Sequence, residues 1–330
     1  MPRQPRLDTP GALHHAIGRG IDGLKIFGDR KDCEDFLNRL KALCESEALS
    51  IYAWALMGNH FHLLARTGKL PLSDSMRKLL TGYVVNYNRR HKRYGHLFQN
   101  RYKSILCESD PYLLELTRYI HLNPLRAGIV KDVKGLRRYE WCGHSVIMGI
   151  VKRQWQDRDT ILAYFGKRRK RAIEKYEDFV EEGVKVGGRP DLVGGGLIRS
   201  LGGWSQVLSL KRAGGKVFSD ERILGSSEFV KTVISDVEEK AKETLRLNSK
   251  ISDLASLASE ICEGGGVEEA DLRSGLRKRG VVKSRRMFCQ IAVKMMGYSG
   301  ADVARFLGIT TSAVNRLAVS DELPEIEKYL

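Results

Sequence analysis

The chain has 330 residues, 42% of them hydrophobic and 29% charged, which suits two folded domains and is too apolar for wholesale disorder. No run approaches the roughly 18 apolar residues of a membrane span, and residues 1–10 lack the apolar segment of a secretory signal. Six cysteines without a C-x-x-C spacing read as thiols of a reducing, cytoplasmic compartment, not as a disulfide or zinc framework. With 56 basic against 40 acidic residues the net charge is +16, and a polyanion, nucleic acid before membrane, is the expected partner. That charge is localised: residues 1–60 are neutral, residues 61–140 carry +10, and residues 271–316 carry +8. Between the two basic regions lies the run Lys167-Arg168-Arg169-Lys170-Arg171.

In chain order, ALHHAIGR alternates as a short strand. DCEDFLNRLKALCESE then places Phe36, Leu37, Leu40 and Leu43 on one helical face. LSIYAWALM predicts a second strand, Gly58-Asn59 a tight turn and HFHLLAR a third strand. LSDSMRKLLTGYVVNYNRRHKR predicts a long basic helix capped by Ser73. RYKSILC predicts a fourth strand, and DPYLLELTRYIHLNPL a helix that Pro124 ends. The order β-α-β-β-α-β plus a further helix predicts an α+β fold, a ferredoxin-like split βαβ sheet over residues 1–149. Residues 150–250, with the basic run and the glycine-rich GGRPDLVGGG, predict a helical connector, and residues 251–330 an all-α domain.

GNHFHLLA carries the first chemistry. Side chains alternate faces along a strand, so His60 and His62 point one way and Phe61 the other, and two imidazoles so placed can share a divalent metal. In LTRYIHLNP, Tyr119 and Asn123 are four residues apart on one helical face. Asn123 offers a hard oxygen that with two imidazoles suits Mg²⁺ or Mn²⁺, and Tyr119 a phenol one turn away from any phosphate on that metal. The same two residues also read as a half-buried packing tyrosine and a helix terminator before proline.

The segments HHAIGRG, GNHFHLLA, YNRRHKRYGHLFQNRYKSIL and YLLELTRYIHLNPLRAGIV resemble, in order over about residues 11–149, the single-tyrosine HUH transposases, in particular the REP-associated tyrosine transposase branch. The resemblance implies a His-hydrophobic-His pair that binds a catalytic divalent metal. It also implies a helix-borne tyrosine that attacks single-stranded DNA, forms a 5′-phosphotyrosine and releases a 3′-hydroxyl. On this chain the metal pair falls on His60 and His62, the third ligand on Asn123 and the nucleophile on Tyr119. Two departures, RGID in place of an Arg-Gly-Asn turn and GN in place of Pro-Asn, spare these residues. Tyr112 is the alternative nucleophile, seven residues earlier. Tyr83 and Tyr87 read as packing or stacking residues, and His14, His15, His91, His96 and His121 as structural or phosphate-facing.

NRRHKRYGHLFQNRYK interleaves Arg89, Arg90, Lys92, Arg93, Arg101 and Lys103 with Tyr94, Phe98 and Tyr102, which pairs cations for a backbone with aromatic faces for unstacked bases. Near the C-terminus, SGADVARFLGITTSAVNRLA has helix-turn-helix form. Val303, Phe306 and Leu307 pack its first helix, Gly308 makes the turn, and Thr310 or Thr311 caps a second helix that presents Ser312, Asn315 and Arg316 to duplex DNA. The run from about Ile251 loosely resembles the DNA-binding domain of the replication initiator DnaA.

The expectation is a metal-dependent DNA transposase, cytoplasmic and nucleoid-associated in a bacterium, that nicks and rejoins single-stranded or hairpin DNA. An appended module binds duplex DNA, no membrane is involved, and a homodimer is compatible with this organisation. The alternative is a domesticated relative that binds DNA or regulates transcription without cleaving. An RNA-binding sheet is a weaker third reading, because the aromatic pattern of such sheets is absent.

Overall fold

Period-two alternation is realised in four antiparallel strands, β1 (Leu13–Arg19), β2 (Leu49–Met57), β3 (His60–Thr67) and β4 (Lys103–Cys107), ordered β2-β3-β1-β4. They belong to a computed structural model that describes residues 7–8, 10–187, 189, 192, 220, 222–236, 253–321 and 323–329. The chain divides into two compact units, Met1–Val233 and Ile234–Leu330.

In the first unit α1 (Arg30–Glu45) and α2 (Leu72–Arg90) pack on one face of the sheet, where Phe36, Leu40, Trp54, Phe61, Met76 and Tyr83 share a core. α3 (Ser109–Arg126) packs on the other, where Ala55, Leu64, Leu116 and Ile120 share a second core. This is the expected α+β split βαβ arrangement. Burying each such aliphatic or aromatic side chain stabilises the fold by about 1.5–3 kcal/mol, and the two cores hold the sheet between them. A fifth strand, β5 (Ile223–Leu224), was not expected; it runs parallel to β4 and covers its edge, with Leu106 N donating to Arg222 O and Glu108 N to Leu224 O, each at 2.8 Å.

Two local expectations need correction. Ser73 does not cap α2; the Asp8 carboxylate accepts from Leu72 N at 2.9 Å and Ser73 N at 3.0 Å, so the cap comes from far along the chain. Pro124 does not end α3, which continues to Arg126 with Ala127 N donating to Asn123 O. A proline in the last turn forfeits only its own N–H bond, and the packed helix tolerates that loss.

Beyond α3 the chain forms α4 (Val133–Arg138), α5 (Gly143–Ile147), α6 (Arg158–Ala163) and α7 (Arg169–Lys185). Ile161, Leu162, Ala172, Tyr176 and Val180 of this stretch join the α3-side core. α7 lies hard against α3: a Cβ on Gly183 would sit 2.5 Å from Arg118 Cδ, so only glycine permits this approach. The run Lys167–Arg171 is exposed at the start of α7, and most of GGRPDLVGGG lies outside the described residues.

The second unit is helical: α8 (Leu254–Gly265), α9 (Glu269–Leu272), α10 (Arg279–Gln290), a π turn (Ile291–Met295), α11 (Gly300–Leu307), α12 (Thr311–Val319) and a 3₁₀ turn (Pro324–Tyr329). Leu257, Ile261, Phe288, Val303, Leu307 and Val314 form its core. Side-chain caps set its helix starts, Asp253 on α8, Ser299 on α11 and Thr310 on α12, while Gly308, with φ 67°, closes α11. Buried Arg285 donates to the carbonyls of Leu272, Leu276, Asp271 and Ser274, so one of the basic residues of this region is structural. Among the described residues no helix is long and apolar enough to cross a membrane.

Candidate active site

Strand register builds the site. His62 on β3 pairs with Ile17 on β1, and His60 with Arg19, so alternation puts His15, Arg19, His60 and His62 on the face that α3 covers, while Phe61 enters the opposite core. His62 Nδ1 lies 3.0 Å from His15 Nε2, and the rings are near-parallel with centroids 5.2 Å apart. His60 Nδ1 lies 2.7 Å from Asn59 Oδ1 and donates to it, and its ring meets His62 edge-on at 5.2 Å. Tyr119 completes the group from α3, its ring 6.1 Å from that of His62 and 6.0 Å from that of His15.

The electrostatics keep both imidazoles neutral. Burial, with neighbouring His15 and His60, presses the pKa of His62 well below its ordinary value. Burial and then Arg19 lower that of His60. Burial raises the Tyr119 phenol, and Arg126 opposes that rise. With Nδ1 of His60 held by Asn59, and that of His62 by His15, each ring has Nε2 left for a ligand. Asn123, one turn beyond Tyr119, is half-buried, and its Nδ2 is buried without a partner. Two neutral imidazoles whose Nδ1 atoms are engaged leave two nitrogen donors that fit a small divalent cation.

Another set of ligand-type atoms gathers elsewhere: Asp29, Asp32 and His91 lie within 4.8 Å of one another. Asp29 and Asp32 form the capping box of α1, and buried Asp32 also receives Gly28 N at 2.8 Å, Arg90 at 2.9 Å and His91 at 3.0 Å. Its oxygens are saturated by N–H donors, as expected of a cap that ties α1 to the end of α2.

Tyr112 packs against the α3-side core. Tyr83 and Tyr87 are packing residues whose hydroxyls donate to the carbonyls of Ile26 and Lys25. In the basic stretch Arg89, Lys92, Tyr94, Arg101 and Lys103 are exposed, Tyr94 by 93%. Arg93 donates to His96 O at 3.0 Å, Arg90 pairs with Asp29 and Asp32, Phe98 packs edge-on against Phe61, and Tyr102 is buried. Phe98 and Arg101 line a groove of about 570 Å³ beside Leu80, Val84 and Leu97. In the second unit Ser312, Asn315 and Arg316 are all exposed on α12, and Phe306 stacks on Phe288 beneath Arg273.

Sequence reading missed His15 as a partner of His62. Alternation alone puts it on the right face, yet only the β1–β3 register brings it within reach. It also assigned no role to Arg126, or to α7, which touches α3 through Tyr176, Phe179 and Gly183.

A solved structure of a REP-associated tyrosine transposase bound to a REP hairpin is similar to 48% of this chain, over 98% of its own length, at 12% identity and a TM-score of 0.38. No curated protein matches the chain. The family model described as "Transposase IS200 like" matches residues 17–123, the span that carries His60, His62, Tyr119 and Asn123. Residues 17–123 are therefore similar to the IS200-like transposases.

Proposed function

We propose that the chain is a metal-dependent DNA transposase that cleaves and rejoins single-stranded or hairpin DNA through a 5′-phosphotyrosine on Tyr119. The observation that carries this reading is the meeting of Tyr119 on α3 with His60 and His62 on one sheet face, all three within the family-matched span, with His15 just outside it. His60, His62 and Asn123 would hold Mg²⁺ or Mn²⁺, which polarises the scissile phosphate when bound. Asn59 fixes the His60 tautomer that leaves Nε2 unprotonated, and His15 would do the same for His62 by accepting from its Nδ1. α3 delivers the phenol oxygen, which forms its bond to phosphorus as the bond to the 3′ oxygen breaks and the phenol proton passes to the released 3′-hydroxyl.

Exposed Arg89, Lys92, Tyr94, Arg101 and Lys103, with half-buried Arg93, supply phosphate and base contacts beside α2, where Phe98 lines the groove and Arg90 is held by Asp29 and Asp32. Ser312, Asn315 and Arg316 on α12 give the C-terminal unit a duplex-binding face. The domain reading is thus a transposase domain over about residues 1–149, a helical segment over 150–250 and a DNA-binding domain over 251–330.

The test incubates the full chain with Mn²⁺ and 3′-labelled, hairpin-forming single strands tiled across the DNA beside its gene. A denaturation-resistant protein–DNA adduct is expected, lost with EDTA and with Tyr119→Phe, which keeps DNA binding within about threefold because phosphate contacts dominate affinity. An adduct that persists in Tyr119→Phe moves the nucleophile to Tyr112. The absence of any adduct in wild type, with binding retained, supports the non-cleaving alternative.

A further inference from the structure

The arginine two turns beyond Tyr119 has no assigned role. Arg126 places its guanidinium carbon 5.5 Å from the centroid of the Tyr119 ring. Seven residues separate the two, so they lie on one face of α3. Arg126 is exposed, and among the described residues no carboxylate pairs with it. Glu115 is already held by Arg118 at 2.7 Å and by Arg189 at 3.0 Å. Arg118 and Arg189 instead repel Arg126, leaving three guanidiniums here against one carboxylate.

What holds Arg126 is backbone. Its Nη2 donates to Gly187 O at 2.7 Å and to Gly183 O at 3.5 Å, at the C-terminal end of α7. Those carbonyls orient the guanidinium without cancelling its charge. Both contacts use Nη2, and among the described residues Nε and Nη1 make no hydrogen bond, which leaves donors for an incoming anion. Arg118 cannot serve in its place: it chelates Glu115, lies 4.2 Å from the Phe179 ring centroid and is only 13% exposed.

We propose that Arg126, oriented by the end of α7, binds a non-bridging oxygen of the DNA phosphate that Tyr119 attacks and stabilises the phenol oxygen when Tyr119 is the leaving group. The inference rests on the transposase reading and deepens it. In cleavage the Tyr119 oxygen bonds to phosphorus, the 3′ oxygen leaves, and the phenol proton ends on that 3′-hydroxyl. In joining, a 3′-hydroxyl attacks the phosphotyrosine, the Tyr119 oxygen leaves, and the proton returns to it. In both directions negative charge gathers on the equatorial phosphate oxygens, where a preoriented guanidinium acts most strongly. α7 thereby becomes part of the reaction apparatus, although it lies outside the span matched to the family.

The test compares wild type, Arg126→Gln, Arg126→Ala and Arg126→Lys, all as full chains, on the same 3′-labelled hairpin strands with Mn²⁺. Arg126→Gln and Arg126→Ala should form adduct about a hundredfold more slowly, with DNA binding within about threefold of wild type. Arg126→Lys should fall between, since a point charge lacks the fork geometry. Ethylguanidinium should restore part of the rate to Arg126→Ala and none to Tyr119→Phe, a rescue that a purely structural role does not allow. A rate for Arg126→Gln within about threefold of wild type overturns the proposal, and so does a slow Arg126→Ala that folds normally and gains nothing from ethylguanidinium. If wild type forms no adduct on any strand, the transposase reading fails and the anion site is judged alone by thermal unfolding in inorganic phosphate, with chloride at equal ionic strength as reference. Phosphate should then raise the midpoint of wild type and not of Arg126→Gln, and equal shifts would overturn the site.

Discussion

Two clusters in the first unit contain the same residue types, two histidines hydrogen-bonded to one another or to a tyrosine, and both draw on α3. Around Tyr119, His15 and His62 join His60 at a half-open edge, with His60 and Tyr119 half-buried and Arg126 exposed. Around Tyr176, His121 Nδ1 at 2.7 Å and His144 Nδ1 at 3.0 Å both meet the phenol oxygen, and all three residues are wholly buried. A single phenol proton serves only one of those nitrogens, so one histidine accepts it and the other donates to the phenol oxygen. Among the described residues the Nε2 atoms of His121 and His144 have no partner, but they are sealed from solvent, the former beside Gly143. Composition alone therefore does not tell the candidate active site from a sealed structural cluster. What separates the two clusters is whether the remaining ring nitrogens and the phenol can reach a ligand.

Exchanging equivalent residues between the clusters tests that distinction most severely. His62→Ala should abolish adduct formation, because it removes a ring whose outer nitrogen is already fixed for ligation. His144→Ala should leave the rate per folded molecule unchanged within about twofold while costing about 1–3 kcal/mol of stability. Rate measurements on DNA and urea unfolding of the same samples separate the effects. If the two variants lose activity equally, the clusters are not functionally distinct.

His15→Ala probes the support instead of the ligand. Its Nε2 is the partner of His62 Nδ1, and loss of such a partner lowers metal affinity or activity about 10- to 100-fold. The defect should shrink as Mn²⁺ is raised, whereas that of His62→Ala should not. A metal-independent defect would assign His15 to packing.

Tyr176→Phe has a smaller expected effect, confined to stability. It leaves both Nδ1 atoms buried and unpaired, at a cost of about 1–3 kcal/mol, and it loosens the contact of α7 with α3 without touching Tyr119. Below its lowered melting point the variant should form adduct at the wild-type rate. A rate loss without a stability loss would mean that the sealed cluster communicates with Tyr119 through α3.

Local patterns show in the sequence, and distant pairings do not. Strand alternation in HFHLLAR separates His60 and His62 from Phe61, and i,i+4 spacing joins Tyr119 to Asn123, so half of the site and the β-α-β-β-α-β order are legible residue by residue. Asp8 capping α2, His15 reaching His62 and β5 covering β4 each depend on a register between segments far apart in the chain. The basic stretch shows the same limit. Its composition is visible, yet the commitment of Arg90 to Asp32 and of Phe98 to Phe61 is fixed by α1 and β3. The contact of α7 with α3 is hidden because Tyr176 and Gly183 look like any residues of an amphipathic helix until α3 is packed against them.

The smallest expected effect is a change with pH, which falls on the sealed cluster. Burial, helped by Arg137, lowers the pKa of His144 to about 3 from an ordinary value of 6.5. As pH falls below 6.5 the unfolded chain takes up a proton that the folded chain refuses, so stability declines on acidification and is regained as pH rises. For a single such histidine the loss between pH 7.5 and pH 5.5 is about 1.4 kcal/mol. Urea unfolding of wild type and His144→Phe at those two values isolates this contribution. His144→Phe should be less stable throughout, since a ring without nitrogen deprives Tyr176 of one partner, but its stability should fall by about 1.4 kcal/mol less than that of wild type over the same interval. Equal pH dependence in the two proteins would mean that His144 takes up its proton as readily in the native state as in the unfolded chain. The cluster would then be open to solvent after all, and the physical distinction between it and the Tyr119 site would disappear.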